Sequence, residues 1–188
     1  QRFGRLDGLV NNAGMLAPVA PIEEVELNTW EQNLRVNLLG PLALLKAALP
    51  HLKENAGRII NVSSGAALKV TPGWSAYSAA KAGLNVLTRY LAQETPQVTT
   101  IAVRPGVIDT EMQAFIRASG AQGMQVDDYE RFMNYHAQDE LLPPEAPGLS
   151  IAVLSLHAPA EWSGEFMRWD DERINALVIT HASSPYSE

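Results

Sequence analysis

One stretch of this chain, residues 57–83, constrains its fold and its chemistry more than any other. It reads GRIINVSSGAALKVTPGWSAYSAAKAG. Ile59, Ile60 and Val62 form a short apolar, β-branched run of the kind found in strands that are covered on both faces. A turn at residues 71–73 follows the run, and residues 75–91 have helical character. The stretch therefore predicts a buried strand, a loop and the first turns of a helix.

Three side chains of this stretch suit the transfer of a proton to or from a substrate oxygen. Tyr77 and Lys81 are four residues apart, so they share one face of the predicted helix. Ser64 follows the predicted strand. Because a neighbouring ammonium favours the phenolate, we expect Lys81 to lower the pKa of Tyr77 from its ordinary value of about 10. The alternative is that Tyr77 and Lys81 are an ordinary pair of surface side chains. The choice between a catalytic pair and a surface pair depends on the other segments of the chain.

Strands and helices alternate along the rest of the chain. Residues 9–10 begin the series, and residues 98–103 and 164–169 are further β-rich runs. A helix between the first two strands is expected to begin at Asn28, with Glu31 as its capping-box partner. This alternation predicts an α/β fold with a parallel sheet.

Ligands of such sheets bind beyond the carboxyl ends of the strands. Asn11, Ser64 and the pair Pro105–Gly106 all fall at predicted carboxyl ends. Asn37 interrupts the apolar stripe of a helix, where an amide is costly unless it is hydrogen-bonded. Two interpretations of Asn37 stay open, namely a kink ahead of Gly40 and a position that holds a water molecule near the ligand.

Residues 107–142 are predicted to form a lid over the substrate, as two short helices with a flexible joint at Gly120 and Gly123. The apolar side chains of this segment either line a pocket or pack onto the body of the domain, and both alternatives stay open. A pocket lined in this way favours a hydrophobic or aromatic substrate over a charged sugar. The side chains concerned are Met112, Phe115, Ile116, Met124, Phe132 and Met133.

Length, charge and composition narrow the classes of function. A chain of 188 residues predicts one domain over residues 1–188. The net charge of -7 and the lack of a dense Lys/Arg run argue against nucleic acid and against a membrane as partners. There is no cysteine, and the four histidines show no ligand spacing, so no metal site is predicted. Residues 170–172 are interpreted as a solvated acidic turn. The longest apolar stretch, residues 38–52, is too short to span a bilayer.

The ordered set of motifs resembles the short-chain dehydrogenase/reductase family. LVNNAG at residues 9–14 resembles the strand and turn beside the cofactor. INVSS at 60–64 and YSAAK at 77–81 resemble the Ser and Tyr-x-x-x-Lys elements, and RPGVIDT at 104–110 resembles the Pro-Gly loop that contacts the nicotinamide. The ending SGEFMRWDDERI is similar to that of sepiapterin- and benzil-reductase-like members.

The resemblance implies a doubly wound, Rossmann-type parallel sheet and hydride transfer between NADP or NAD, with NADP favoured, and a carbonyl or alcohol group of a small substrate. It implies catalytic roles for Ser64, Tyr77, Lys81 and Asn37. It further implies a cytoplasmic protein that forms a homo-oligomer, either a dimer or a tetramer. The cofactor contacts that it implies come from Asn11, Ala13, Gly14, Tyr77, Lys81, Pro105, Gly106, Val107 and Thr110.

One part of the family pattern is not found in these residues. The family begins with a strand and a Thr-Gly-x-x-x-Gly-x-Gly turn that cradles the cofactor pyrophosphate, and Gly4, Gly8 and Gly14 do not supply it. We therefore expect a sheet that lacks its first strand–helix units, with an open edge at the strand of residues 9–10. Two hypotheses follow.

The first hypothesis is an oxidoreductase of which these residues are the carboxyl-terminal part. The second is a truncated, catalytically silent relative that serves as an interaction or oligomer subunit through its helices at 28–52 and 75–94.

Overall fold

The computed structural model describes residues 4–182 and contains a parallel sheet of four strands. These are β1 (Gly8–Asn11), β2 (Arg58–Val62), β3 (Thr99–Arg104) and β4 (Phe166–Arg168), and they lie side by side in that order. The parallel α/β fold predicted from the sequence is confirmed, with strand bounds that differ from the prediction by one to two residues. The first three and last six residues of the predicted domain lie outside the described residues.

Helices connect the strands and follow the last one. A π-helical segment, Arg35–Leu39, joins α1 to α2 without a break, and short 3-10 turns occupy residues 65–67, 120–122 and 160–162. The last helix, α7, was not predicted from the sequence. The α-helices are α1 (Leu27–Leu34), α2 (Gly40–Glu54), α3 (Ser75–Glu94), α4 (Glu111–Ser119), α5 (Val126–Ala137), α6 (Glu145–His157) and α7 (Glu172–Ala182).

The helices cover both faces of the sheet, and β2 shows how its sequence requires this. Successive residues of a strand point to opposite faces. Ile59 packs with Leu45 and Leu52 of α2 on one face, whereas Ile60 packs with Leu154 of α6 on the other. Burial of each such side chain contributes roughly 1.5–3 kcal/mol. The apolar run of β2 is thus stable only between two layers of helices, as the doubly wound arrangement provides.

Strand β1 lies at one edge of the sheet. Its neighbour on one side is β2, and no strand pairs with its other side within residues 4–182. Val10 of this strand is 37% exposed. The open edge expected from the sequence is therefore present in the described part of the chain.

The prediction for the start of the first helix was wrong. Helix α1 begins at Leu27 with Glu26 at the N-cap position, and no side chain caps it. Asn28 lies inside the first turn instead of before it. Glu31 pairs with Arg35 one turn later, at 2.6 Å between Oε1 and Nη2. Because the Glu31 carboxylate forms this i,i+4 ion pair, it does not cap the start of the helix as the capping box required.

The predicted acidic turn connects β4 to α7 and is rich in ion pairs. Asp170 pairs with Arg168, and Asp171 pairs with Arg173. Glu172 is the first residue of α7. Glu172 is thus exposed, as predicted, whereas Asp170 and Asp171 are half-buried and each pairs with a neighbouring guanidinium group.

Two glycines fix the loops that lead into α3. Gly73 has a φ of +90°, and its carbonyl accepts a hydrogen bond from the Ala20 N–H at 3.0 Å. A Cβ atom added at Gly73 would lie 2.2 Å from the carbonyl oxygen of Gly123, and one added at Gly123 would lie 2.1 Å from that of Val19. The joint at Gly123, which the sequence predicted to be flexible, is therefore packed backbone against backbone.

We expect Gly73→Ala to lower the free energy of unfolding by about 2 kcal/mol or more, because the substitution combines an unfavourable φ with a backbone clash. Denaturant titration measures the change. Gly148→Ala is the matched control, since nothing lies within 4 Å of a Cβ added inside α6, and helix propensity predicts a gain of up to about 1 kcal/mol. Equal effects of the two substitutions would contradict the packing described here.

Candidate active site

Lys81 is buried between helix α3 and the carboxyl end of β2. Its side chain is 3% exposed, and its Nζ donates a hydrogen bond to the Val62 carbonyl oxygen at 2.8 Å. Burial lowers the pKa of Lys81 to about 8. An ammonium has three N–H donors, and the bond to Val62 is the one it makes within residues 4–182. Two donors of Lys81 are therefore available to a ligand.

Tyr77 lies one turn before Lys81 on α3 and is 7% exposed. Burial raises the pKa of Tyr77 above its ordinary value, and hydrogen bonding with Ser64 opposes part of that rise. The expectation that Lys81 lowers the Tyr77 pKa was therefore wrong. The Lys81 Nζ lies 5.6 Å from the centre of the Tyr77 ring, and desolvation of the phenolate dominates. Tyr77 consequently carries its proton at neutral pH.

Ser64 completes a group of three side chains that the sequence predicted to meet. It follows β2 and caps a 3-10 turn, where its Oγ accepts a hydrogen bond from the Ala66 N–H at 3.2 Å. Ser64 and Tyr77 line the same cavity, which has a volume of about 530 Å³. The structure therefore brings Ser64 and Tyr77 together at the carboxyl end of β2. Lys81 lies beside them and is buried below the cavity wall.

Asn37 lies in the π-helical segment and is fully buried. Its Oδ1 accepts a hydrogen bond from the Met15 N–H at 3.1 Å, and its Nδ2 donates to the Met15 carbonyl oxygen and to Asn33 Oδ1, each at 2.8 Å. The side-chain amide thus holds the loop that follows β1. The winding changes from α to π at this point, ahead of Gly40. The predicted kink and the predicted water-holding role of Asn37 both stay predictions.

Asn33 is a supporting residue that the sequence analysis missed. It is fully buried, and its Nδ2 donates to the carbonyl oxygens of Met15, Leu16 and Ala17 at 3.1, 3.1 and 2.8 Å. Its position four residues before Asn37, on the same apolar helical face, is the signal that could have identified it. Together the two amides fix the loop that packs beside Tyr77.

Most residues predicted to contact the cofactor lie beyond the carboxyl ends of β1 and β3. Ala13 and Gly14 are exposed after β1, Pro105 and Val107 flank an exposed Gly106 after β3, and Thr110 is exposed at the start of α4. Gly106 has a φ of +84°, a conformation that favours glycine.

The space around Lys81 fits a nicotinamide cofactor. A Cβ added at Gly14 would lie 2.9 Å from Asn37 Oδ1 and 3.6 Å from Lys81 Nζ. The glycine therefore leaves room beside an ammonium that has two unused N–H donors. Those donors match the hydroxyl groups of the ribose that the cofactor carries next to its nicotinamide ring.

Asn11 differs from the other predicted cofactor residues. It is 4% exposed, and its Nδ2 donates to Asn61 Oδ1 at 2.8 Å. Asn61 Nδ2 in turn donates to Thr88 Oγ1 at 2.9 Å. The Asn11 side chain thus belongs to a buried polar chain that links β1, β2 and α3, and its contact with cofactor stays a prediction.

Aromatic and apolar side chains form much of the cavity above Ser64 and Tyr77. Trp74, which the sequence analysis missed, packs against Phe132 with ring centres 5.1 Å apart. Of the six side chains left open between pocket and packing, Met112, Ile116 and Phe132 line the cavity. Phe115 and Met124 instead pack in the adjoining apolar cluster, and Met133 is half-buried.

Membrane-spanning helices and clusters of metal ligands are both absent from residues 4–182. No helix in that range combines the length and the apolar character that a membrane span requires. Within the same range, no three His, Asp or Glu side chains are grouped closely enough to hold a metal ion.

We expect Lys81→Met to change how stability depends on pH. The Lys81 pKa is about 8 in the folded protein against an ordinary value of 10.5, so between these pH values the unfolded state binds one more proton at this site. The stability of the wild type relative to the variant should therefore rise with pH in this window, by at most about 1.4 kcal/mol per pH unit, and stay level below about pH 7. Denaturant titrations of both proteins from about pH 6 to about pH 10 measure the difference. A difference that is constant over the whole range would contradict the lowered pKa.

Comparison with known proteins identifies the family. The family model described as short chain dehydrogenase matches residues 1–120. A benzil reductase ((S)-benzoin forming) of Saccharomyces cerevisiae is 40% identical over 187 residues, which is 94% of this chain and 71% of that protein. A benzil reductase ((S)-benzoin forming) of Bacillus cereus is 37% identical over 170 residues, with 87% of this chain and 67% of that protein covered.

A solved structure agrees with these relatives. The crystal structure of a short-chain dehydrogenase/reductase from Saccharomyces cerevisiae superposes with a TM-score of 0.90 at 35% identity, over 93% of this chain and 70% of that one. The resemblance inferred from the motifs is therefore confirmed. The chain belongs to the short-chain dehydrogenase/reductase family and is an oxidoreductase with a small-molecule substrate and NAD or NADP as cofactor.

Proposed function

We propose that the chain reduces a carbonyl group of a small, hydrophobic substrate, with Ser64, Tyr77 and Lys81 as the catalytic side chains. The observation that carries this proposal is that the Ser64 hydroxyl and the buried Tyr77 phenol line one cavity, with the Lys81 Nζ 5.6 Å from the centre of the Tyr77 ring. A protonated Tyr77 is an acid, and an acid is what the reduction of a carbonyl group to an alcohol consumes. Tyr77 at the cavity wall is therefore placed to protonate the oxygen of a bound carbonyl substrate.

Ser64 and Tyr77 act on the same substrate oxygen. The Ser64 hydroxyl donates a hydrogen bond to the carbonyl oxygen and orients it, and Tyr77 donates its proton as negative charge develops there. NADPH or NADH, when bound, supplies the hydride that adds to the carbonyl carbon. Residues that would hold the cofactor are Ala13, Gly14, Lys81, Pro105, Gly106, Val107 and Thr110.

Lys81 supports the proton transfer. Its unused N–H donors would bind ribose hydroxyls of the cofactor, and its positive charge 5.6 Å from the Tyr77 ring stabilises the phenolate that remains after the proton has left. Asn37 is the fourth proposed catalytic residue. Its neighbourhood would hold a water molecule that returns a proton toward Tyr77.

The proposed substrate is aromatic or otherwise apolar, and residues 107–142 form its lid. The two ends of this segment are tied together, because the Leu142 N–H donates to the Val107 carbonyl oxygen and the Asp109 N–H donates to that of Leu142, both at 2.9 Å. Met112 and Ile116 of α4 and Phe132 of α5 line the cavity, so both helices lie over it. Benzil, the diaryl diketone for which two relatives are named, has the same apolar character.

The proposal also covers the cofactor, the compartment and the oligomeric state. NADP is the favoured cofactor on family resemblance alone, and the cytoplasm is the proposed compartment. A homo-oligomer, as a dimer or tetramer, is supported by apolar side chains on the outer surface of α1–α3. Leu27, Leu39, Leu44 and Val86 are 76%, 49%, 55% and 41% exposed, and a partner copy would cover them.

The same exposed helices also favour the second candidate function, a catalytically silent subunit that assembles with an intact relative. NADPH binding separates the two candidates. If a folded 188-residue chain enhances NADPH fluorescence, the reductase is supported. If it gives no signal at high protein concentration, the silent subunit is supported.

Tyr77→Phe should strongly slow the reduction of aromatic ketones by NADPH or NADH. Loss of the acid is expected to lower kcat by a factor of about 100 to 10,000, with little change in melting temperature. Tyr90→Phe is the matched control, since Tyr90 lies on the same helix and is 60% exposed. Turnover by Tyr77→Phe that is close to that of Tyr90→Phe would show that Tyr77 is not the acid.

A further inference from the structure

The cavity above Ser64 has a charge opposite to that of the whole chain. The chain carries 14 Lys and Arg against 21 Asp and Glu, for a net charge of -7. Among the described residues that line the cavity, by contrast, there is no Asp or Glu. The cationic residues at its wall are Lys69, Arg104, Arg131 and Arg168.

Carboxylates outside the cavity neutralise two of these cations. Asp128 lies 2.8 Å from Arg131, and Asp170 forms a two-bond pair with Arg168, at 2.7 and 2.5 Å. Arg104 forms no ion pair with any carboxylate of the described range. Its guanidinium is therefore a positive charge at the cavity wall that has no carboxylate in direct contact within residues 4–182.

The position of Arg104 is fixed by the end of the sheet. It is the last residue of β3, and its carbonyl oxygen accepts a hydrogen bond from the Trp169 N–H at 3.1 Å. Its Nη1 lies 3.9 Å from where a Cβ of Gly65 would be, directly after Ser64. The charge thus lies close to the serine that is proposed to orient the substrate carbonyl.

Arg104 also lies beside a second guanidinium. Arg104 and Arg168 are register partners on the parallel strands β3 and β4. The hydrogen bonds from Arg168 lower the pKa of Asp170, and the nearby charge of Arg104 adds to that effect. Two neighbouring guanidinium groups thus have one carboxylate near them, which is bonded to Arg168, and like charges on adjacent strands are unfavourable without a counter-charge for each. A bound anion would supply the missing negative charge.

We propose that Arg104 binds the carboxylate of the substrate, and that the substrate class is aromatic 2-oxo acids. This rests on the proposed function, because Ser64 and Tyr77 must hold the neighbouring carbonyl oxygen. Guanidinium binds carboxylate through two parallel hydrogen bonds, and the aromatic ring would lie against Trp74 and Phe132. The hydride of NADPH or NADH adds to the carbonyl carbon and the Tyr77 proton to its oxygen. The product is the 2-hydroxy acid, with the carboxylate unchanged and the cofactor oxidised.

The test compares two ketones that differ in charge at one position. Benzoylformate carries the carboxylate, and methyl benzoylformate replaces it with a neutral ester. The wild-type enzyme should have the higher kcat/KM with the acid. Arg104→Gln should lower kcat/KM for the acid by about 10- to 100-fold, the loss expected for a charge-assisted hydrogen bond, and change that for the ester by less than about threefold.

Two further variants control for charge and for folding. Arg104→Lys keeps the positive charge and should retain part of the preference for the acid. Arg89→Gln removes one positive charge from an exposed position on α3 that is not at the cavity wall, and it should leave both ketones unaffected. If Arg104→Gln does not fold, the wild-type ratio decides, since a preference for the ester would overturn the proposal.

A binding experiment provides a readout that is independent of turnover. Mandelate, the 2-hydroxy acid of benzoylformate, should quench the fluorescence of Trp74 and Trp169 at the cavity wall. The dissociation constant should rise at least about tenfold in Arg104→Gln and stay unchanged in Arg89→Gln.

The outcomes separate this inference from the proposed function. Mandelate binding that depends on Arg104, without reduction of either ketone, would refute the reductase and support the anion site. Reduction of both ketones with equal losses in Arg104→Gln would support the reductase and overturn the anion site.

Discussion

A buried ammonium bound to a backbone carbonyl determines how the site is built. The bond from Lys81 Nζ to the Val62 oxygen ties the first turns of α3 to the last residue of β2. Taking that charge out of water is unfavourable, which is why the Lys81 pKa falls to about 8. The contact in return fixes two positions, because Tyr77 lies one helical turn before Lys81 and Ser64 lies two residues after Val62. The end of β2 and the start of α3 therefore bring the hydroxyl groups of Ser64 and Tyr77 to the same cavity.

Backbone contacts around this bond explain why the site is rigid enough to act on one substrate oxygen. The amides of Asn33 and Asn37 hold the loop at residues 15–17, and Gly73 and Gly123 let neighbouring loops approach at distances that no side chain would permit. The two asparagine amides and the two glycines lie among apolar side chains. The structure thus accepts buried polar groups in order to position loops, a cost that hydrogen bonding offsets.

The sequence predicted what depends on spacing and missed what depends on three-dimensional surroundings. A four-residue interval places Tyr77 and Lys81 on one helical face in any context, and the β-branched run at residues 59–62 required cover on both sides. The Tyr77 pKa depends instead on how completely α4 and α5 exclude water, and its direction was predicted wrongly. Asn33 was missed although it lies four residues before Asn37 on the same helical face. Trp74 was missed because its partner Phe132 is distant in sequence, and α7 because its helical signal follows an acidic turn.

The measurement that tests the catalytic arrangement most directly is a crystal structure of the protein with NADP and a slowly reacting ketone. The ketone oxygen should lie within about 3.2 Å of both Ser64 Oγ and Tyr77 Oη, and Lys81 Nζ should contact the ribose of the cofactor. A ketone oxygen held by other residues and out of hydrogen-bond reach of Ser64 and Tyr77 would contradict this arrangement.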